Sequence, residues 1–207
     1  MKKILSSASL LLLLFACSSS MKTTSSWIIQ DKSAFQNKSY KTIFISAITS
    51  NLEVRTKLEA ELTIAAQKHG FVVIKSIDKF PPGKLPSKEE ALEIIKKAGA
   101  DLIFTTALVD EKSETRYVPG TAFVPRFYGG YRGYYISTGA YYQPGYYTTD
   151  KTYFLESNLF DVATESLIWS AQSEVYNPTN INKTSKKYTD MMLDKLEKDG
   201  ILKSAKN

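Results

Sequence analysis

Apolar positions change their period along this chain, and each change predicts an element. Thr42-Ile43-Phe44-Ile45 is a β-branched and aromatic run, read with Lys41 and Ser46 as the first main strand. Val54, Leu58, Leu62, Ala65 and His69 then recur at spacings of three and four, one face of a helix. Ser50 and Glu53 have the spacing of a capping box at its start, and Gly70 closes it. Phe71–Lys75 predicts a second strand. A second capping box, Ser87 to Glu90, opens a helix with Ala91, Ile94, Ile95 and Ala98 on one stripe and Gly99 at its end. Asp101–Leu108 predicts the third strand, so the order implies two right-handed crossovers and a parallel core.

The period then shifts. Thr152–Asp161 and Leu167–Val175 read as two longer strands joined by the loop Val162–Ser166, a hairpin. On the second, Leu167, Trp169, Ala171 and Val175 alternate with polar residues, which predicts one buried and one wet face. Asn177-Pro178 ends it, and a last helix near Thr184–Lys198 carries Tyr188, Met191, Met192 and Leu196. The expected fold is α+β: a mixed β-sheet from a βαβαβ unit, then a long β-hairpin and a C-terminal helix, with helices packed on the sheet. Residues 27–207 form this single domain.

What precedes it reads as an address. Lys2 and Lys3 come before an apolar stretch, Ile4 to Phe15, the order of a secretory signal peptide and too short to span a bilayer. Leu14-Phe15-Ala16-Cys17 resembles the lipobox of bacterial lipoproteins, although Phe15 is bulkier than that pattern usually has. The resemblance implies cleavage after residue 16 and a diacylglycerol and acyl modification of Cys17, with Ser18 favouring sorting to the outer membrane, facing the periplasm. Two or three acyl chains give stable anchoring where one binds reversibly. Residues 17–26, rich in Ser and Thr, have the composition of a flexible tether.

Composition matters for what it excludes. One Cys and one His rule out an intramolecular disulfide and the usual Cys/His metal sites. The formal charge of +6 falls to +4 once Lys2 and Lys3 leave with the signal peptide, and with an exported location nucleic acid is not an expected partner.

Most of the remaining basicity sits in one insertion, 116–148. It holds nine of the thirteen tyrosines and six of the ten glycines, and no acidic residue occurs between Glu114 and Asp150. Tyr combines a large apolar face with a wet hydroxyl, and Arg makes bidentate contacts to carboxylate or phosphate. The candidate binding surface is therefore Arg116, Tyr117, Arg126, Tyr128, Tyr131, Arg132, Tyr134, Tyr135, Tyr141, Tyr142, Tyr146 and Tyr147. The same residues also suit a hairpin that prolongs the third and fourth strands, with its tyrosines packed on one another.

No catalytic residue is expected. The chain has no Gly-x-Ser-x-Gly elbow, phosphate loop or His-Glu-x-x-His pattern. His69 belongs to a helix end, Glu89 and Glu90 to a helix start, and Glu156 and Asp161 sit on opposite faces of a regular strand.

Ser26-Trp27, Tyr117-Val118-Pro119-Gly120, Pro144-Gly145-Tyr146-Tyr147, Leu155–Asp161, Leu167-Ile168-Trp169-Ser170-Ala171-Gln172-Ser173 and Asn177-Pro178 carry a resemblance to a family of Bacteroidetes-type cell-envelope lipoproteins with no assigned activity. The layout is more distantly similar to curli-secretion lipoproteins and to lipoprotein activators of peptidoglycan synthases. The resemblance implies an envelope location and fold and supplies no catalytic residues; with the absent site patterns and the Arg/Tyr/Gly-rich insertion, the leading expectation is a non-catalytic, membrane-anchored protein that binds an envelope protein. Peptidoglycan or anionic lipid is the alternative ligand for the insertion, and an unrecognised enzyme is the third reading. No cofactor is expected beyond the acyl groups on Cys17.

Overall fold

The computed structural model describes residues 21–36, 38–80, 86–119 and 145–202. It is an α+β fold with one six-stranded mixed sheet and helices on both faces. The strands are β1 (Met21–Ile28), β2 (Thr42–Ile48), β3 (Val72–Lys75), β4 (Leu102–Val118), β5 (Tyr146–Asp161) and β6 (Leu167–Tyr176). The helices are α1 (Ser33–Gln36), α2 (Leu52–Lys68), α3 (Lys88–Lys97) and α4 (Ile181–Lys198). The sheet order is β1-β6-β5-β4-β2-β3, with β2 parallel to β3 and β4 and the other pairs antiparallel.

Alternation along β2 sorts the two faces. Ile43, Ile45 and Ala47 join Leu58 and Leu62 of α2 and Tyr188, Met192 and Leu196 of α4 in the main core. Phe44, between them, points the other way and packs with Phe80, Ile95 and Ala100 under α3. Trp169 is fully buried on β6, and its indole nitrogen donates to Asp199 at 2.7 Å, so the largest side chain of the core has its one polar group satisfied.

The helix ends follow their capping chemistry. Ser87 and Glu90 form a reciprocal capping box at α3. At α2 the cap is Asn51 rather than Ser50: its side chain accepts from the Val54 amide. Gly70 and Gly99, after α2 and α3, have φ of +85° and +75°, a left-handed exit that a side chain would strain.

Three expectations on extent need correction. The tether expected over 17–26 is strand from Met21 onward. β1 pairs with β6 from Met21↔Val175 to Ile28↔Trp169, because β6 would otherwise leave its backbone groups open at the sheet edge. The Ser and Thr content that reads as linker is compatible with a strand exposed along much of its length. The third strand runs ten residues past Leu108, to Val118, and its partner begins at Tyr146 instead of Thr152. The hairpin form of the insertion thus holds for its described ends.

Candidate functional site

β4 and β5 stay paired as far as Val118↔Tyr146, whereas β2 stops at Ile48↔Ala107 and β6 at Tyr176↔Thr152. From Ser113↔Lys151 onward the two strands therefore form a ribbon with no other strand beside it among the described residues. Its six residue pairs span about 20 Å at ~3.3 Å per residue. This ribbon is the arm that presents the insertion.

The described site residues cluster at the arm's end. Tyr117 and Tyr147 face each other across the strands with ring centroids 5.1 Å apart, and they are 55% and 75% exposed. A Cβ on Gly145 would stand 1.9 Å from the Tyr117 hydroxyl, so the missing side chain at 145 is what lets this ring lie over the neighbouring strand. Tyr146 is exposed as well. Arg126, Tyr128, Tyr131, Arg132, Tyr134, Tyr135, Tyr141 and Tyr142 lie outside the described residues, as does Cys17.

Arg116 is not the free cation that its sequence neighbourhood implies. Its Nε lies 3.0 Å from Asp150 Oδ2 across the ribbon. Asp150 is held below the usual carboxylate range by hydrogen bonds from Asn177 and Tyr176, and further by the Arg116 charge. Lys112 pairs with Glu114 and Lys151 with Glu111, so the described arm is close to electrically balanced.

At the arm's base is a feature that the sequence does not announce. A groove of about 440 Å³ opens between the first turns of α2 and α4, floored by Leu108, Tyr153, Leu155 and Val175. Ile48 and Leu108, which line it, are about half exposed, as are Leu52 in the first turn of α2 and Val109 next to Leu108, a concentration of apolar side chains in open contact with solvent. Its residues come from four separate stretches of chain, so no local motif could mark it.

Apart from the Thr189 hydroxyl on α4, which has no hydrogen-bond partner among the described residues, the buried polar side chains are occupied in holding the fold. Glu59, with no exposed surface, accepts from the Ala47 and Ile77 amides at 3.1 and 3.0 Å, from Ser76 Oγ at 2.6 Å and from Arg55 Nε at 3.3 Å. Arg55 also donates to the Phe80 carbonyl. Together they tie α2 to the turn that leads toward α3. Under the groove, Thr106, Ser157 and Tyr188 form a hydroxyl chain with links of 2.7 and 2.8 Å. Burial pushes the Tyr188 hydroxyl up, which keeps its proton in place.

The two carboxylates on β5 have separate surroundings. Glu156 accepts from the Asn158 side chain, whereas Asp161 accepts from Lys38, Tyr40, and the amide and hydroxyl of Thr164. Burial alone would raise the Asp161 carboxyl, but these donors together hold it well below the usual range. His69 lies at the C-terminal end of α2, with Nε2 3.7 Å from Glu197 of α4. Among the described residues no group of three or more His, Cys, Asp and Glu could hold a metal ion. No helix among them is long and apolar enough to cross a membrane.

The chain matches no protein-family model and no curated protein. Solved structures similar to it include the PelC dodecamer from Paraburkholderia phytofirmans, at 13% identity and TM-score 0.42 over 86% of this chain and 96% of that one. Lipoprotein GNA1162 from Neisseria meningitidis is similar at 9% identity and TM-score 0.39, over 78% and 98%. A PDZ domain protein from Parabacteroides distasonis is similar at 12% identity and TM-score 0.44, over 91% of this chain and 38% of the other.

Proposed function

We propose that this protein is a lipid-anchored, non-catalytic component of the bacterial cell envelope that binds a protein partner through its arm. Cys17 carries the anchor, and the domain faces the periplasm from the outer membrane. The arm carries this reading. A two-stranded ribbon that leaves its sheet gains little from the core, so its extension supports a role in contact rather than in folding. Its end offers exposed tyrosines, side chains with large contact area and few rotors. The balanced charge of Arg116 and its neighbours favours a protein surface over an anionic ligand held by salt-sensitive pairs. The non-catalytic part is supported by Glu59, Arg55 and Asp161, each engaged in several structural hydrogen bonds.

In-cell photo-crosslinking tests the reading. A crosslinker at Tyr117 or Tyr147 should capture one defined envelope protein, and the same group at Lys97, on α3, should not. Background products alone from both arm positions would refute partner binding. Salt-sensitive co-sedimentation with sacculi or anionic vesicles, lost in an Arg126→Ala, Arg132→Ala variant, would put the glycan or lipid reading in its place. Cys17→Ala should abolish lipid labelling and accumulate the precursor; normal processing of that variant would overturn the anchor.

A further inference from the structure

The strand register fixes where an anchored chain would meet the membrane. Met21 is paired with Val175, Val175 with Tyr153 and Tyr153 with Glu111, so these four residues lie on one line across the sheet. The groove opens at this level, since Val175, Tyr153 and Glu111 all line it. The chain enters β1 from the same end. Cys17 is four residues before Met21, a reach of at most about 14 Å at ~3.5 Å per residue. The arm leaves from that end too, and from Glu111 to Val118 it covers about 23 Å at ~3.3 Å per residue. It therefore extends farther beyond the Met21 level than Cys17 can.

From this we infer that the groove end of the domain rests on the bilayer with its strands inclined to the membrane plane, so that Ile48, Leu52, Leu108 and Val109 face the headgroup region and the Tyr117–Tyr147 end of the arm meets the same interface further along. The occupant of this surface is lipid, reached because too little chain lies between the anchor and β1 for the domain to stand away. A surface of half-exposed aliphatic side chains is costly in water and is relieved at an interface. Tyrosines suit the same depth, with the ring among acyl carbons and the hydroxyl among headgroups. The ion pairs along the described arm leave it near neutral, and the contact is carried by aliphatic side chains and tyrosine rings, so it forms on zwitterionic membranes and withstands salt; Arg126 and Arg132 of the insertion would add to it only on anionic lipid. The inference rests on the anchor at Cys17 and adds to the partner reading that the arm meets its partner at membrane level.

Single tryptophans report the orientation. The full chain, expressed with its signal peptide and purified, is reconstituted into phosphatidylcholine vesicles with brominated acyl chains. Leu52→Trp and Tyr147→Trp should each lose most of the emission of the added tryptophan and shift it to the blue, unchanged by high salt. Lys97→Trp, on α3 at the far end of the sheet, should lose none of its added signal. Equal quenching at all three sites, or none at Leu52→Trp and Tyr147→Trp, overturns the orientation. Mass measurement of the Cys17 peptide reports the anchor separately. If that cysteine is unmodified, the anchor reading fails, and coupling its thiol to a maleimide lipid supplies the tether so that the same three variants still decide the orientation.

Discussion

Up to Ala107 and beyond it, β4 is one continuous strand in two settings. In the first stretch Leu102, Phe104 and Thr106 are buried under helices, with β2 on one side and β5 on the other. In the second, almost every residue is exposed, and past Lys112 β5 is the only strand beside it among the described residues. Pairing with β5 runs through both, with one register shift between Leu108 and Asp110. The difference shows that apolar cover holds the fold, while cross-strand contacts alone shape the arm, so stability and contact are assigned to different halves of one strand.

Breaking the covered half should have the largest effect. Trp169→Ala removes a fully buried side chain and should cost about 3–5 kcal/mol, read from urea unfolding. A smaller loss would mean that the main core is less tightly determined than its packing implies.

Asp161→Asn comes next, at about 1–3 kcal/mol near neutral pH, because it weakens the charged hydrogen bonds from Lys38 and Tyr40. The sign with pH follows from a folded-state carboxyl held below its unfolded value. Its stabilisation is fully present above about pH 4, the ordinary Asp range, and is lost as pH falls toward the depressed value. Unfolding curves at a series of acidic pH values should therefore bring wild type and variant together; parallel curves would contradict the assignment.

Tyr188→Phe should cost about 1 kcal/mol, since Ser157 keeps its bond to Thr106 when the phenol is removed. On the arm, Tyr117→Ala should cost only about 0.2–1 kcal/mol, the value of one cross-strand pair. Arg116→Ala should leave the urea midpoint where it is. Replacing the segment between Ser113 and Lys151 by Asn-Gly should likewise leave the midpoint near the parent's and yet abolish partner capture. An unfolded product would show that the arm belongs to the fold.

The parts legible in the sequence are those written locally. α3 is recovered because apolar spacing, a capping box and a closing glycine coincide within a few residues, and α2 by apolar spacing and its closing glycine, with the cap one residue on from Ser50. The parallel core and the β5/β6 hairpin follow from element order and loop length. β1 was not legible because its Ser and Thr side chains encode no buried face; its reason for being a strand is the open edge of β6, far away in sequence. For the same reason Arg116 reads as free charge. Asp150 neutralises it only through the pairing of β4 with β5, which local composition does not contain. The groove is the extreme case, since it exists only after α2 and α4 have both docked.

The Met21↔Val175 pairing has a consequence in time. A chain made or exported from its amino end delivers β1 first, but the strand that receives it comes almost last. Until β6 has arrived, β1 has no partner and the sheet keeps an open margin, so this edge closes late and waits on the longest-range contact of the sheet. Any chain interrupted before Val175 would lack that closure, which makes completion of the carboxyl-terminal third a requirement for fixing the amino-terminal segment in place.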